Sequence, residues 1–152
     1  IVVRGEIVES SEFGIVDDEL RPLRFVSYDS LTKDKEQVDL SFEWDDAQIT
    51  GTIDGEPFHA DLEGVLHDRV SLQYGLMHDL INGVERTDYL LQDAEELKPL
   101  TITNLGSKPV KVPFGSFEAI GIQHQRPGSS RVTTLWCVAE LDYLPVVIEQ
   151  RR

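Results

Sequence analysis

The sequence predicts a mainly β protein: a curved antiparallel sheet or partial β-barrel with one central α-helix packed against it. Three observations carry this. Several runs alternate apolar and polar residues with a period of two, turn-forming pairs separate them, and one stretch alone switches to helical spacing.

The clearest run is Val38, Leu40, Phe42 and Trp44, alternating with Gln37, Asp39, Ser41 and Glu43. That is the period of a strand with one face buried. Asp45-Asp46 separates it from Ala47, Ile49, Gly51 and Ile53, and Asp54-Gly55 then signals a type I′ hairpin, because both residue types tolerate positive φ. Phe58, Ala60 and Leu62 continue the alternation, which makes a three-strand meander. Upstream, Ser11 to Asp17 and Arg21 to Leu31 read as two strands split by Asp17-Asp18-Glu19. The opening Ile1 to Val8 also reads as a strand, so the chain is expected to begin inside structure as part of a longer domain.

Between Leu66 and Gly83 the period changes. Leu66, Val70, Tyr74, Met77 and Ile81 form a helical stripe, widened by Leu72, Leu76 and Leu80. Asp68 is placed to cap its start, and Asn82-Gly83 supplies a left-handed stop. Downstream, Leu97 to Leu105, Pro109 to Phe114, Phe117 to Gln125, Arg131 to Val138 and Tyr143 to Gln150 are strand-like. Two of these are apolar on both faces. Ala119 and Gly121 oppose Ile120, Ile122 and His124, while Val132, Thr134, Trp136 and Val138 oppose Leu135 and Cys137. A sheet covered on both sides is curled or sandwiched. With no repeat, low-complexity tract or linker, residues 1–152 are expected to form a single β-rich domain lacking its N-terminal strands.

Composition narrows function by exclusion. Fourteen basic against 28 acidic residues leave a net charge of −14, a field that repels a phosphate backbone or an anionic lipid surface. No segment approaches the roughly 18 apolar residues of a membrane span. Cys137, the single cysteine, allows no intrachain disulfide and no thiolate metal cluster.

Candidate chemistry is sparse. His67 and His78 fall eleven residues apart on one helical face, about 16 Å along the axis, too far to share a metal ion. His59 alternates outward, and His124 shares a face with Ile120 and Ile122 from which it can line a cavity. The acidic pairs fall at turns, without the spacing of a calcium loop. No G-x-S-x-G elbow or glycine-rich phosphate loop is present. No metal and no cofactor are expected. The remaining candidates for contact with a hydrophobic ligand are Trp44, Tyr74, Met77, His124, Trp136 and Tyr143, although, taken singly, an ordinary structural role is the better account of each.

Four stretches, taken in order, resemble a known family. They are Arg21-Pro22-Leu23-Arg24-Phe25, Asp68-Arg69-Val70-Ser71-Leu72-Gln73, Pro113-Phe114-Gly115-Ser116-Phe117-Glu118-Ala119, and Arg131-Val132-Thr133-Thr134-Leu135-Trp136 followed by Leu144-Pro145-Val146-Val147-Ile148-Glu149. Their order and spacing are similar to those of the bacterial domain-of-unknown-function family 3108. The resemblance implies export to the periplasm and a curved β architecture similar to lipoprotein-carrier half-barrels, and it transfers no catalytic residue. The expected role is therefore a non-enzymatic periplasmic protein that binds or carries a hydrophobic small molecule or lipid. The alternatives are an interaction or scaffold module that meets another envelope protein, and, third, an unrecognised hydrolase.

Overall fold

Adjacent turn residues with positive φ set the first hairpins. Asp17 (51°) and Asp18 (62°) join β1 (Ile7–Val16) to β2 (Glu19–Asp29), and Asp54 (51°) and Gly55 (81°) join β4 (Gln48–Ile53) to β5 (Glu56–Asp61). Two-residue turns of this hand match the right-handed twist of the strands they connect. With β3 (Glu36–Glu43) these strands form an antiparallel five-stranded sheet in the order β1-β2-β3-β4-β5. The computed structural model describes residues 4–33 and 35–152. The strand expected over Ile1 to Val8 therefore falls partly outside the described residues; within them it begins at Ile7.

The remaining elements are β6 (Leu66–His67), α1 (Ser71–Ile81), β7 (Asp88–Asp93), β8 (Glu96–Val112), β9 (Gly115–Gln125), β10 (Val132–Val138), one 3₁₀ turn (Ala139–Leu141) and β11 (Leu144–Arg151). The second sheet runs β11-β10-β9-β8-β7-β6. Among the described residues the protein is thus mainly β with one α-helix, and neither sheet closes into a barrel. The chain forms two compact units, Ile1–Gly75 with Leu91–Leu97, and Leu76–Leu90 with Lys98–Arg152.

In the first unit the alternation read from the sequence is the alternation of burial. Val38, Leu40, Phe42 and Ile49 are buried, and Phe25 of β2 lies opposite Leu40. Each such side chain contributes about 1.5–3 kcal/mol on removal from water. Arg69 ties the unit together by charge. It pairs with Glu9 of β1 (3.0 Å), Glu36 of β3 (2.6 Å) and Asp93 of β7 (3.2 Å), and lies over the Phe25 ring. The Glu9 contact is an ion pair without hydrogen-bond alignment, since Arg69 Nε is buried and donates no hydrogen bond. Burial opposes the cation, but the Glu36, Glu9 and Asp93 carboxylates outweigh it and hold the guanidinium above its ordinary pKa.

In the second unit, both faces of β10 are covered, as the sequence pattern indicated. Trp136, Val138, Ala119 and Val110 form a core on one face. The indole lies directly on Gly121, where an added Cβ would stand 2.7 Å from Trp136 Cη2 and Cζ3. The Lys108 ammonium sits 3.8 Å above the ring.

Two expectations change, and one strand is an addition. The two strands expected over Leu97–Leu105 and Pro109–Phe114 are one 17-residue strand, with a register shift between Asn104 and Ser107. Gly106 (φ 81°) donates its N–H to Asn104 Oδ1 there, so turn-like residues make a bulge instead of ending the strand. Strand β7 had no distinct alternation to announce it. Finally, the helix begins at Ser71, His67 belongs to β6, and the expected apolar stripe is buried only in part. Leu66 and Leu76 of the stripe are buried, but Tyr74 and Ile81 are 43% and 53% exposed, while Ser71, Gly75 and Asp79, which lie off it, are buried. Gly75 faces inward because the His67 ring lies against it, and Asp79 because it accepts bonds from Tyr89 and Arg86.

Candidate functional site

The helix start holds a buried polar cluster within the first unit. Asp68 Oδ1 accepts hydrogen bonds from the Val70 and Ser71 N–H groups (2.9 and 2.7 Å), while Ser71 Oγ accepts from the Asp68 N–H (3.0 Å). This reciprocal arrangement satisfies donors that the helix leaves open, which is the capping role read from the sequence. Ser11 Oγ of β1 donates to Asp68 Oδ2 at 2.5 Å, and Ser71 Oγ lies 3.4 Å from His67 Nδ1. Burial raises the Asp68 pKa, offset by the bonds from Ser11, Ser71 and Val70.

The residue types are those of a hydrolytic triad, but the cluster is closed to solvent. A triad needs its carboxylate on the imidazole and a hydroxyl that substrate can reach. Here the carboxylate serves Ser11 and the helix backbone, and His67, Asp68 and Ser71 are each no more than 1% exposed. The cluster caps the helix start and joins it to β1.

A concavity with an aliphatic wall lies in the second unit. Its volume is about 250 Å³, and its aliphatic wall consists of Leu76 and Leu80 of α1, Val84 after the helix, Ile102 of β8 and Ile122 of β9. The segment after α1 is turned back by a helix-ending motif in which Gly83 has φ 67° and the Val84 N–H donates to Asp79 O. It is then fastened to β8 by the Ile102 N–H, which donates to Thr87 O at 2.7 Å. Register places Ile102 opposite His124 and Asn104 opposite Ile122, so these four share one sheet face.

The polar lining is a charged knot. Tyr89 Oη donates to Asp79 Oδ2 at 2.5 Å, Arg86 Nε donates to the same oxygen at 2.9 Å, and the Arg86 guanidinium lies 5.7 Å from the Tyr89 ring centroid. Burial, then the hydrogen bond and charge of Asp79, push the Tyr89 phenol far above its ordinary pKa, so it remains a donor. Glu85, Thr87 and Asn104 complete the lining.

The six candidates from the sequence are divided between the two units. Trp44 and Tyr74 belong to the first unit. Trp44 is half-buried, donates from Nε1 to Pro22 O (2.7 Å) and carries Arg21 over its ring; Tyr74 stacks on Phe13 at 5.2 Å. In the second unit, Met77 is half-buried on α1, and Tyr143 is half-buried at positive φ (59°). Trp136 packs on the sheet face opposite Ile122. His124 is half-buried beside the aliphatic wall, and burial lowers its pKa, which keeps the imidazole neutral near pH 7. His59 is exposed as expected, and burial pushes the Cys137 thiol up to about 11, far from a reactive thiolate.

Sequence reasoning missed the cleft because its wall is assembled from α1, the loop after it, β8 and β9. The one legible signal was the face shared by Ile122 and His124. Among the described residues, no group of three or more His, Cys, Asp or Glu side chains is placed to hold a metal ion, and no helix is long and apolar enough to cross a membrane.

Fold and site together define a mainly β protein with one helix and a small cleft of aliphatic walls and a charged lining. The chain belongs to the family described as protein of unknown function (DUF3108), whose model matches residues 3–152. No curated protein and no solved structure matches it.

Proposed function

We propose that the chain is a non-enzymatic protein of the bacterial cell envelope, located in the periplasm, that binds a small apolar or amphiphilic molecule in the cleft of the second unit. The observation that carries this is the convergence of Leu76, Leu80, Val84, Ile102 and Ile122 on one concavity. Ligand sites combine such apolar lining with a few placed polar groups. Export rests on the family resemblance.

The test is titration of the purified protein with 1-octanol, followed by calorimetry and by thermal melts. Binding should be saturable and only weakly dependent on salt, since burial drives it. Mass action should stabilise the fold by about 2.7 kcal/mol when free ligand reaches 100 times its Kd. Leu80→Trp, placed at the half-buried wall, should fill the cleft and abolish the effect while the protein stays folded. Absence of saturable binding to the parent protein would sink the reading.

A second reading, an envelope interaction module, is favoured by one specific observation. Strand β1 is a sheet edge, and Ile7, Val8, Ile15 and Val16 on it are exposed. Free edges pair with extended segments of other chains. This reading takes precedence if octanol fails to bind and sedimentation shows concentration-dependent association that Val8→Lys removes.

A further inference from the structure

We infer, resting on the cleft-binding reading, that the cleft selects a short amphiphile with an uncharged, hydrogen-bonding head over one with an anionic head such as a fatty acid. Two features of the lining lead there. The first is size. A volume of about 250 Å³ falls below the roughly 300–1,000 Å³ of pockets for drug-sized ligands, so the site holds a short chain or the end of a longer one.

The second is how the charges are disposed. The lining carries two carboxylates, Asp79 and Glu85, against one guanidinium, Arg86. Arg86 Nε is committed to Asp79 at 2.9 Å, and the Tyr89 hydroxyl is committed to the same oxygen at 2.5 Å. A ligand carboxylate could address only the other N–H groups of a guanidinium whose charge Asp79 already balances, and drawing Arg86 away would leave Asp79, nine-tenths buried, without its countercharge, which is costly. The incoming anion would also meet Glu85 and the field of a chain with net charge −14. An alcohol or amide head meets no such opposition. Asn104, whose Oδ1 accepts the Gly106 N–H, presents its amide N–H groups as donors, and Thr87, whose hydroxyl donates to Asp88, presents that oxygen as an acceptor; both are exposed at the cleft and outside the Asp79–Arg86–Tyr89 knot. The knot therefore acts as a filter: its cation is already neutralised from within, so the site reads shape and hydrogen bonding, and rejects negative charge.

The experiment compares 1-octanol with octanoate on the full chain at pH 7.5, by calorimetry, at low salt and in 1 M NaCl. Octanol should bind at least tenfold more tightly than octanoate at low salt. Because the discrimination is electrostatic, the gap should narrow severalfold in 1 M NaCl and in Glu85→Gln, an exposed position whose substitution leaves the fold intact. If neither compound binds, the cleft reading itself fails. If octanol binds and octanoate binds as well or better, the cleft stands and the charge filter is overturned. A tenfold gap unmoved by salt and by Glu85→Gln would equally overturn it, because head-group size and not charge would then decide.

Discussion

Replacing Gly75 by alanine sets two opposed effects against each other at one atom. Alanine is favoured over glycine in a helix interior by about 0.8–1.0 kcal/mol, so on propensity alone Gly75→Ala in α1 should stabilise. The structure opposes this. A Cβ built on Gly75 would stand 2.4 Å from His67 Cε1 and 2.5 Å from Nε2, well inside contact distance. The imidazole is 1% exposed and has Ser71 Oγ 3.4 Å from its Nδ1, so it cannot swing into water to make room. Overpacking of this kind costs about 1–3 kcal/mol. The net expectation is a loss of about 1 kcal/mol in urea denaturation, with the m-value unchanged. A double-mutant cycle isolates the contact. In a His67→Ala background the obstruction is gone, so Gly75→Ala should gain up to about 1 kcal/mol, a reversal of sign. If Gly75→Ala stabilises the parent protein, or has the same effect in both backgrounds, the close approach of helix and ring is wrong.

Two further predictions follow from burial. Trp136→Ala should cost about 3–5 kcal/mol, because a largely buried aromatic is lost from the core it shares with Val110, Ala119 and Val138; a loss below about 1 kcal/mol, with quenching showing the native indole wet, would refute the assignment. Asp68 has a raised folded-state pKa, so the native state binds its proton more tightly than the unfolded chain does. Its contribution to stability is therefore full below the unfolded value near 3.8 and is lost as pH rises through the folded value. Asp29 and Asp39, whose pKa values are lowered, act in the opposite sense, so the parent profile alone is not diagnostic. Asp68→Asn keeps an oxygen for the helix cap and removes the titration. Its stability relative to the parent should accordingly rise with pH above 4, and parallel profiles would exclude the buried charge.

Strands with one wet face were legible in the sequence. Val38, Leu40 and Phe42 can alternate only if one side of β3 is buried, and Asp54-Gly55 names its turn because few other pairs accept two positive φ angles. Trp136 was legible for the same reason, as was Asp68 at the helix start, since both signals are local. Tertiary structure decided everything that required knowing what a surface meets. Tyr74 and Ile81 look like core by spacing, yet they are exposed, while Gly75 and Asp79 are buried, because His67, Tyr89 and Arg86 supply partners that no periodicity records. The cleft was hidden for that reason as well. Leu76, Val84, Ile102 and Ile122 are each ordinary apolar residues in sequence, and only the turn after Gly83 and the pairing of β8 with β9 bring them to one wall. A hydrophobic pattern specifies which side chains leave water, but their neighbours are set by long-range register and loop closure.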